Sequence, residues 1–158
     1  AGVAMRSHIQ DHFRTNPLGY GATYQAHPVS LACGYAVVKH MLDEDIVGKV
    51  QRETAPVMEA EMASLVEDFA CVRQARAVGL FACCDLISTD TGDRVAPMAG
   101  GGPNAEKVAA FKRALKEEGL IAFFRNCMIH VCPPLTIAPE ELRDGFGRLR
   151  RALSSVDF

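Results

Sequence analysis

The chain has no uninterrupted stretch of about 18 apolar residues, which excludes a membrane-spanning helix. It has no block of basic residues either. With 17 Lys+Arg against 19 Asp+Glu in 158 residues, the formal charge is −2, and nucleic acid is not expected as a main partner. Neither CxxC nor zinc-ligand spacing occurs among the six cysteines, at positions 33, 71, 83, 84, 127 and 132, so no metal site is expected. There is no internal repeat and no low-complexity tract. What remains is an apolar content of 49% with 23% charged residues, the balance of a globular domain with one core and too apolar for disorder. The cysteines lie inside apolar runs such as Leu31-Ala32-Cys33 and Leu80-Phe81-Ala82-Cys83-Cys84, as reduced buried thiols do. That usage predicts an intracellular reducing compartment, cytoplasmic or mitochondrial matrix.

Residues 1–27 read as a long loop, because Asn16-Pro17 and Gly19-Tyr20-Gly21 interrupt any pattern. Long ordered loops within compact domains tend to be functional. From Pro28 the period is helical, with Val29, Cys33, Ala36, Val37, His40 and Met41 on one stripe. The small residues Ala32, Gly34 and Ala36 predict close packing on another side. Asp43-Glu44-Asp45 marks the start of a second helix, which carries Ile46, Val50, Val57, Met58, Met62, Leu65 and Phe69. Pro56 inside it predicts a kink or break.

The period then changes to that of strands, over 72–78 and 80–87 around Gly79. A loop is expected over 88–103, ending in Gly100-Gly101-Gly102-Pro103, which lacks the Lys-Ser/Thr ending of a P-loop. Asn104 is placed as the cap of a helix with Val108, Phe111 and Leu115 inward, stopped by Gly119. Strands follow over 120–124 and 128–132. Pro133-Pro134 ends the second strand, and Pro139-Glu140-Glu141 opens a terminal helix with Leu142, Phe146, Leu149 and Leu153 inward. The expected class is α/β, in the form of an α+β small domain whose small antiparallel sheet is covered by helices. Strand and helix do not alternate long enough to build a large parallel sheet.

Three stretches, in order, resemble the C-terminal part of the class III aminotransferases, a family of pyridoxal-phosphate enzymes that includes ω-amino acid:pyruvate transaminases. Gly21-Ala22-Thr23-Tyr24-Gln25-Ala26-His27-Pro28 is similar to the family's G-x-T-Y-x-x-H-P segment. Val72-Arg73-x-x-Arg76-x-Val78-Gly79-Leu80 is similar to its small-domain strand pair. Pro133-Pro134-Leu135-Thr136-Ile137 followed by Glu140-Glu141-Leu142 is similar to its P-P-L-x-I-T-x-x-E-L closing helix. The resemblance covers nearly the whole chain.

The resemblance implies a division into 1–45, the last loop and long helix of the large cofactor domain, and 46–158, the C-terminal small domain. It implies pyridoxal 5'-phosphate as cofactor, with Thr23 and the adjacent Ala22 backbone at its phosphate, reaching into the neighbouring subunit's site of a homodimer. A hydroxyl among open-loop amides is chemically suited to that contact, although closing a turn is the competing role for Thr23. His27 is expected to cap or pack. The resemblance also places a substrate carboxylate on Arg125, whose planar fork matches a carboxylate, against the competing role of a turn arginine. Arg73 and Arg76 are expected to be structural, and His130 a packed strand residue.

The family's chemistry needs a Schiff-base lysine, and the resemblance puts it shortly before the segment that Ala1 to Met5 matches. The five lysines here (39, 49, 107, 112 and 116) read as solvated helix faces. No catalytic residue is therefore assigned, and the chain alone is expected to be inactive. It is expected to work with the missing N-terminal aminotransferase portion, transferring an amino group from an amino acid or ω-amine to a keto acid such as pyruvate. The alternative is a non-catalytic remnant serving as a structural or interaction subunit of other protein chains.

Overall fold

Two strands, Val72–Val78 (β1) and Phe81–Leu86 (β2), fold back on each other through Gly79-Leu80, where Gly79 takes the left-handed backbone (φ 58) that a side chain disfavours. They belong to a four-stranded antiparallel sheet of order β1-β2-β4-β3, completed by the hairpin Phe123–Arg125 (β3) and Met128–Val131 (β4). The computed structural model describes residues 2–96 and 101–158; the start at Ala1 and the 97–100 part of the expected 88–103 loop lie outside the described residues. The chain forms two compact units, Ala1–Asp45 and Ile46–Phe158.

The first unit contains two helices, Ser7–Thr15 (α1) and Pro28–Asp43 (α2). Helix α1 corrects the expectation of loop throughout 1–27. The breakers are confined to 16–21, and the segment before them carries Met5, Ile9 and Phe13 at four-residue spacing with an Asp11–Arg14 pair at 3.2 Å. Helix α2 starts at Pro28 as expected but runs through Asp43, so the acidic triplet lies at its end, where Asp45 (φ 48) turns the chain. Among the described residues neither helix buries a residue, and the small side of α2 is exposed within this chain, with Met41 half-buried.

The second unit opens with Ile46–Lys49 (α3), a π-helical turn at Val50–Thr54, and Ala55–Asp68 (α4). The α-helical run is interrupted just ahead of Pro56, as expected, and α4 starts afresh with Pro56 in its first turn. The Ala55 N–H reaches back five residues to the Val50 carbonyl, and the wider turn takes up the misfit of a residue that has no N–H to donate. Helix Ala105–Glu117 (α5) has Asn104 at its N-cap position, without the side-chain bond expected of it. Its other end is a Schellman cap: Gly119 (φ 75) donates to the Lys116 carbonyl and Leu120 to that of Leu115. That use of the Leu120 N–H is why β3 begins at Phe123, not at Leu120 as expected. Helix Pro139–Ser154 (α6) starts where Glu141 accepts the Ala138 N–H at 3.0 Å.

One face of the sheet forms the core. Ala75, Cys84, Ile129 and Phe124 lie in one cross-strand row on that face. Phe111 of α5 meets Phe124 and Phe158 edge-on, at 5.7 and 5.6 Å between ring centres. Met58, Met62 and Leu65 of α4 and Leu142, Phe146, Leu149 and Leu153 of α6 join the same buried cluster. Arg150 fastens α6 to α4 through Glu61 at 2.6 Å, Ser64 at 2.9 Å and Asp68 at 3.4 Å. Phe158 is buried, and its carbonyl accepts both the N–H and the hydroxyl of Thr89.

Candidate functional site

Within the first unit, the Gln25 N–H donates to the Ala22 carbonyl at 2.9 Å, which makes Thr23 and Tyr24 the corner residues of a turn. Ala26 then adopts φ 56, and His27, extended at φ −61 and ψ 122, delivers the chain into α2 with Pro28 in its first turn. Thr23 and Ala22 thus stand just before the positive end of a 16-residue helix. The Thr23 hydroxyl is exposed and makes no hydrogen bond among the described residues. A free hydroxyl donor near a helix N-terminus fits a phosphate group. The His27 side chain does not cap the helix; its ring lies exposed, 6.0 Å from the exposed ring of Tyr24.

In the second unit, the face of the sheet opposite the core presents two cross-strand rows. The first is Gln74, Asp85, Met128 and Arg125; the second is Arg76, Cys83, His130 and Phe123. Arg125 is the last residue of β3, exposed, beside a two-residue turn in which Asn126 (φ 52) and Cys127 (φ 67) both have positive φ. Two such non-glycine residues cost of order 1–3 kcal/mol each. The turn is held from behind: the Cys127 thiol is buried, and the Leu86 N–H donates to its carbonyl at 2.8 Å. Arg125 thereby projects from a fixed hairpin, with no hydrogen bond or ion pair among the described residues.

Asp85 was not among the residues singled out from the sequence. It is 4% exposed; Gln74 donates to its Oδ2 at 2.6 Å, Arg73 stands 3.8 Å from the same oxygen, and Oδ1 has no partner. An unsatisfied buried acceptor costs about 1–3 kcal/mol, more when charged. One acid inside the apolar run Leu80 to Ile87 was the signal that could have found it. Arg73 is the extra residue of a β-bulge between Val72 and Gln74, which accounts for its poor alternation. Arg76 reaches the Cys83 sulfur at 3.8 Å, and His130 packs between Phe123 at 5.3 Å and Phe81 at 6.5 Å.

The lysines all sit on helix surfaces. Lys39 pairs with Asp43 at 2.6 Å, and Lys112 lies 5.6 Å over the Phe124 ring. Cys71, Cys84 and Cys127 are buried as expected, whereas Cys33 and Cys132 are exposed. Burial pushes the Cys84 thiol up to about 12, helped by the neighbouring charges of Cys83 and Asp85. A groove of about 330 Å³ runs between Gly119–Ala122, Val131–Pro133 and α6. It includes none of the residues singled out from the sequence for binding. Its charged residues are engaged locally, Arg148 with Asp144 at 2.7 Å and the Glu118 carbonyl at 2.9 Å, and Glu141 with the Ala138 N–H. Among the described residues no cluster of three or more His, Cys, Asp or Glu is arranged to hold a metal, and no helix is long and apolar enough to cross a membrane.

A sequence profile described as aminotransferase class-III matches residues 1–153. The chain is similar to a leucine/methionine racemase from Thermococcus litoralis, 26% identical over 99% of this chain and 33% of the relative. It is likewise similar to a putrescine–pyruvate aminotransferase from Pseudomonas aeruginosa, 27% identical over 98% of this chain and 33% of that one. Its fold superposes on the crystal structure of taurine:2-oxoglutarate aminotransferase from Bifidobacterium kashiwanohense, in complex with PLP and glutamate. The TM-score is 0.81 and the identity 31%, over 94% of this chain and 33% of that structure. The chain spans about a third of the length of these relatives.

Proposed function

We propose that this chain, which belongs to the class III aminotransferase family, is the C-terminal portion of a pyridoxal-phosphate-dependent transaminase. The observation that carries this reading is the family match across 1–153 together with the free Thr23 hydroxyl ahead of α2. Pyridoxal phosphate, when bound, supplies the electron sink that lets an amino group pass reversibly between an amine and a keto acid.

In this reading the residues of the chain bind and orient. The Thr23 hydroxyl donates to a phosphate oxygen, the Ala22–Thr23 backbone lines the same contact, and the α2 N-terminus favours the negative charge. Arg125 receives the substrate carboxylate in its guanidinium fork. The essential lysine comes from outside residues 1–158, since the five lysines here occupy helix surfaces. Residues 1–45 complete the cofactor domain and 46–158 form the small domain. The exposed apolar residues of α2 are covered by the remaining portion of the enzyme and by a second copy, with Thr23 serving the twin subunit's site. The transferred group comes from an amino acid or ω-amine, and pyruvate is the acceptor of first choice. The buried, unpaired thiols Cys71, Cys84 and Cys127 support a reducing compartment, cytoplasm or mitochondrial matrix.

The test is to combine the chain with the family's N-terminal portion and read cofactor absorbance and alanine formation from pyruvate. Both are expected to appear, and Thr23→Ala is expected to weaken cofactor retention by about tenfold or more, the worth of one hydrogen bond to a charged group. Recovery of neither signal would leave the chain as a non-catalytic subunit and sink the enzymatic reading.

A further inference from the structure

The second row on the helix-free face of the sheet brings a cation, a thiol and an imidazole together. Arg76 on β1 lies opposite Cys83 on β2, and Cys83 lies opposite His130 on β4. The Leu86 N–H donates to the Cys127 carbonyl, which sets the phase of the β2–β4 ladder. Three steps along it, Cys83 and His130 form a non-hydrogen-bonded pair, the kind that brings side chains closest, with Cα atoms about 4.5 Å apart. On the other side the Arg76 guanidinium reaches the sulfur, with Nη2 3.8 Å from Sγ. Ring contacts with Phe123 at 5.3 Å and Phe81 at 6.5 Å hold His130 in place. The acid of the adjoining row, Asp85, stands about 6.8 Å along β2, and its Oδ2 is already taken up by Gln74. A thiol reacts through its thiolate, and a guanidinium with an imidazole at hand supports that form. Cys83 is half-buried and within reach of water, whereas Cys71, Cys84 and Cys127 are buried. Cys33 and Cys132 are exposed, yet among the described residues neither accepts a hydrogen bond from a cationic side chain.

We propose that Arg76, Cys83 and His130 form an oxidation site at which hydrogen peroxide converts the Cys83 thiol to a sulfenic acid. His130 takes the thiol proton, and the sulfur attacks one peroxide oxygen, so that an S–O bond forms as the O–O bond breaks. The departing hydroxide collects the proton from His130 and leaves as water. Arg76 faces the negative charge that the sulfur carries in between. Sulfur gives up two electrons, the peroxide takes them, and the imidazole ends as it began: thiol and hydrogen peroxide yield sulfenic acid and water. The step uses neither the cofactor nor a substrate of the transaminase. The resulting order of reactivity runs against exposure, with half-buried Cys83 ahead of the exposed Cys33 and Cys132.

The reduced 158-residue chain, treated with limiting hydrogen peroxide while dimedone traps sulfenic acid and then digested for mass spectrometry, tests this. Label is expected at Cys83 at about five times or more the level at Cys33 or Cys132. Arg76→Gln removes the cation and His130→Asn the proton acceptor. Each is expected to bring Cys83 labelling down to that of the exposed thiols or below it. Neither position belongs to the buried cluster, so the urea midpoint is expected to stay in place in both variants. Alkylation by iodoacetamide with no oxidant present reads the same order in the unsubstituted chain, whatever the variants do to the fold. Reaction of Cys83 no faster than that of Cys33 and Cys132, or a lead that survives either substitution, overturns the site.

Discussion

The two units of the chain each contain a 16-residue helix, α2 in the first and α6 in the second, and these two helices have opposite relations to water. In the second unit α4, α5, α6 and all four strands send side chains into or against one cluster, from Met58 on α4 to Phe146 on α6. In the first unit α2 exposes Val29, Leu31, Tyr35, Val37, Val38 and Leu42, the last at 76%, and neither helix buries a residue. Apolar content alone does not separate them; where the apolar groups can meet does. An exposed apolar surface of this kind is what the proposed contacts with the remaining portion of the enzyme would cover.

Cutting between the units at Asp45 gives the largest contrast. Residues 46–158 are expected to unfold cooperatively in urea with a midpoint close to that of the full chain. Residues 1–45 alone are expected to give a weak far-UV helix signal without a cooperative transition, because a 16-residue helix that buries no residue is marginal in water. A 46–158 fragment that stays unfolded where the full chain folds would show that the core depends on the first unit.

A paired substitution sharpens the comparison at single residues. Phe111 is fully buried against Phe124 and Phe158, so Phe111→Ala is expected to destabilise by about 3–5 kcal/mol. Tyr35 on α2 is also a large aromatic but 72% exposed, and Tyr35→Ala should change the stability of this chain by less than about 0.5 kcal/mol. Urea midpoints measure both. Comparable losses from the two would mean that α2 is buried in solution.

What could be read from the residues follows the same division. The α6 stripe of Leu142, Phe146, Leu149 and Leu153, and α5 with Phe111 and Leu115, were legible because their periodicity and the core coincide. Helix α1 was not, since Gly and Pro at 16–21 masked a short amphipathic segment before them. The first residues of β3 looked like strand, but a helix cap at Leu115 claimed the Leu120 N–H, a tertiary choice that β propensity does not record. At the candidate sites, Thr23 and Arg125 were found through resemblance to a family. The details that give them physical character were hidden: the Asn126-Cys127 turn lacks the usual glycine, and Asp85 reads as one polar interruption in a strand.

The smallest expected effect concerns thiols, and it reports on the same contrast. Cys84 is 1% exposed, and its pKa in the fold, about 12, lies above the ordinary value of 9.0. The fold therefore favours the neutral thiol. Its contribution to stability is complete below pH 9 and drains away as pH rises from 9 towards 12, at up to about 1.4 kcal/mol per pH unit. Burial also raises Cys71 and Cys127, so Cys84→Ala should flatten this alkaline limb without abolishing it. Urea midpoints at a series of pH values measure the slope, and an identical slope in the variant would take Cys84 out of the account. Cys33 in the first unit supplies the control. It is exposed on α2, so a thiol reagent should reach it in the folded chain without any opening of the structure. Cys84 should be modified only as fast as the core opens, and its protection should fall with denaturant while that of Cys33 does not.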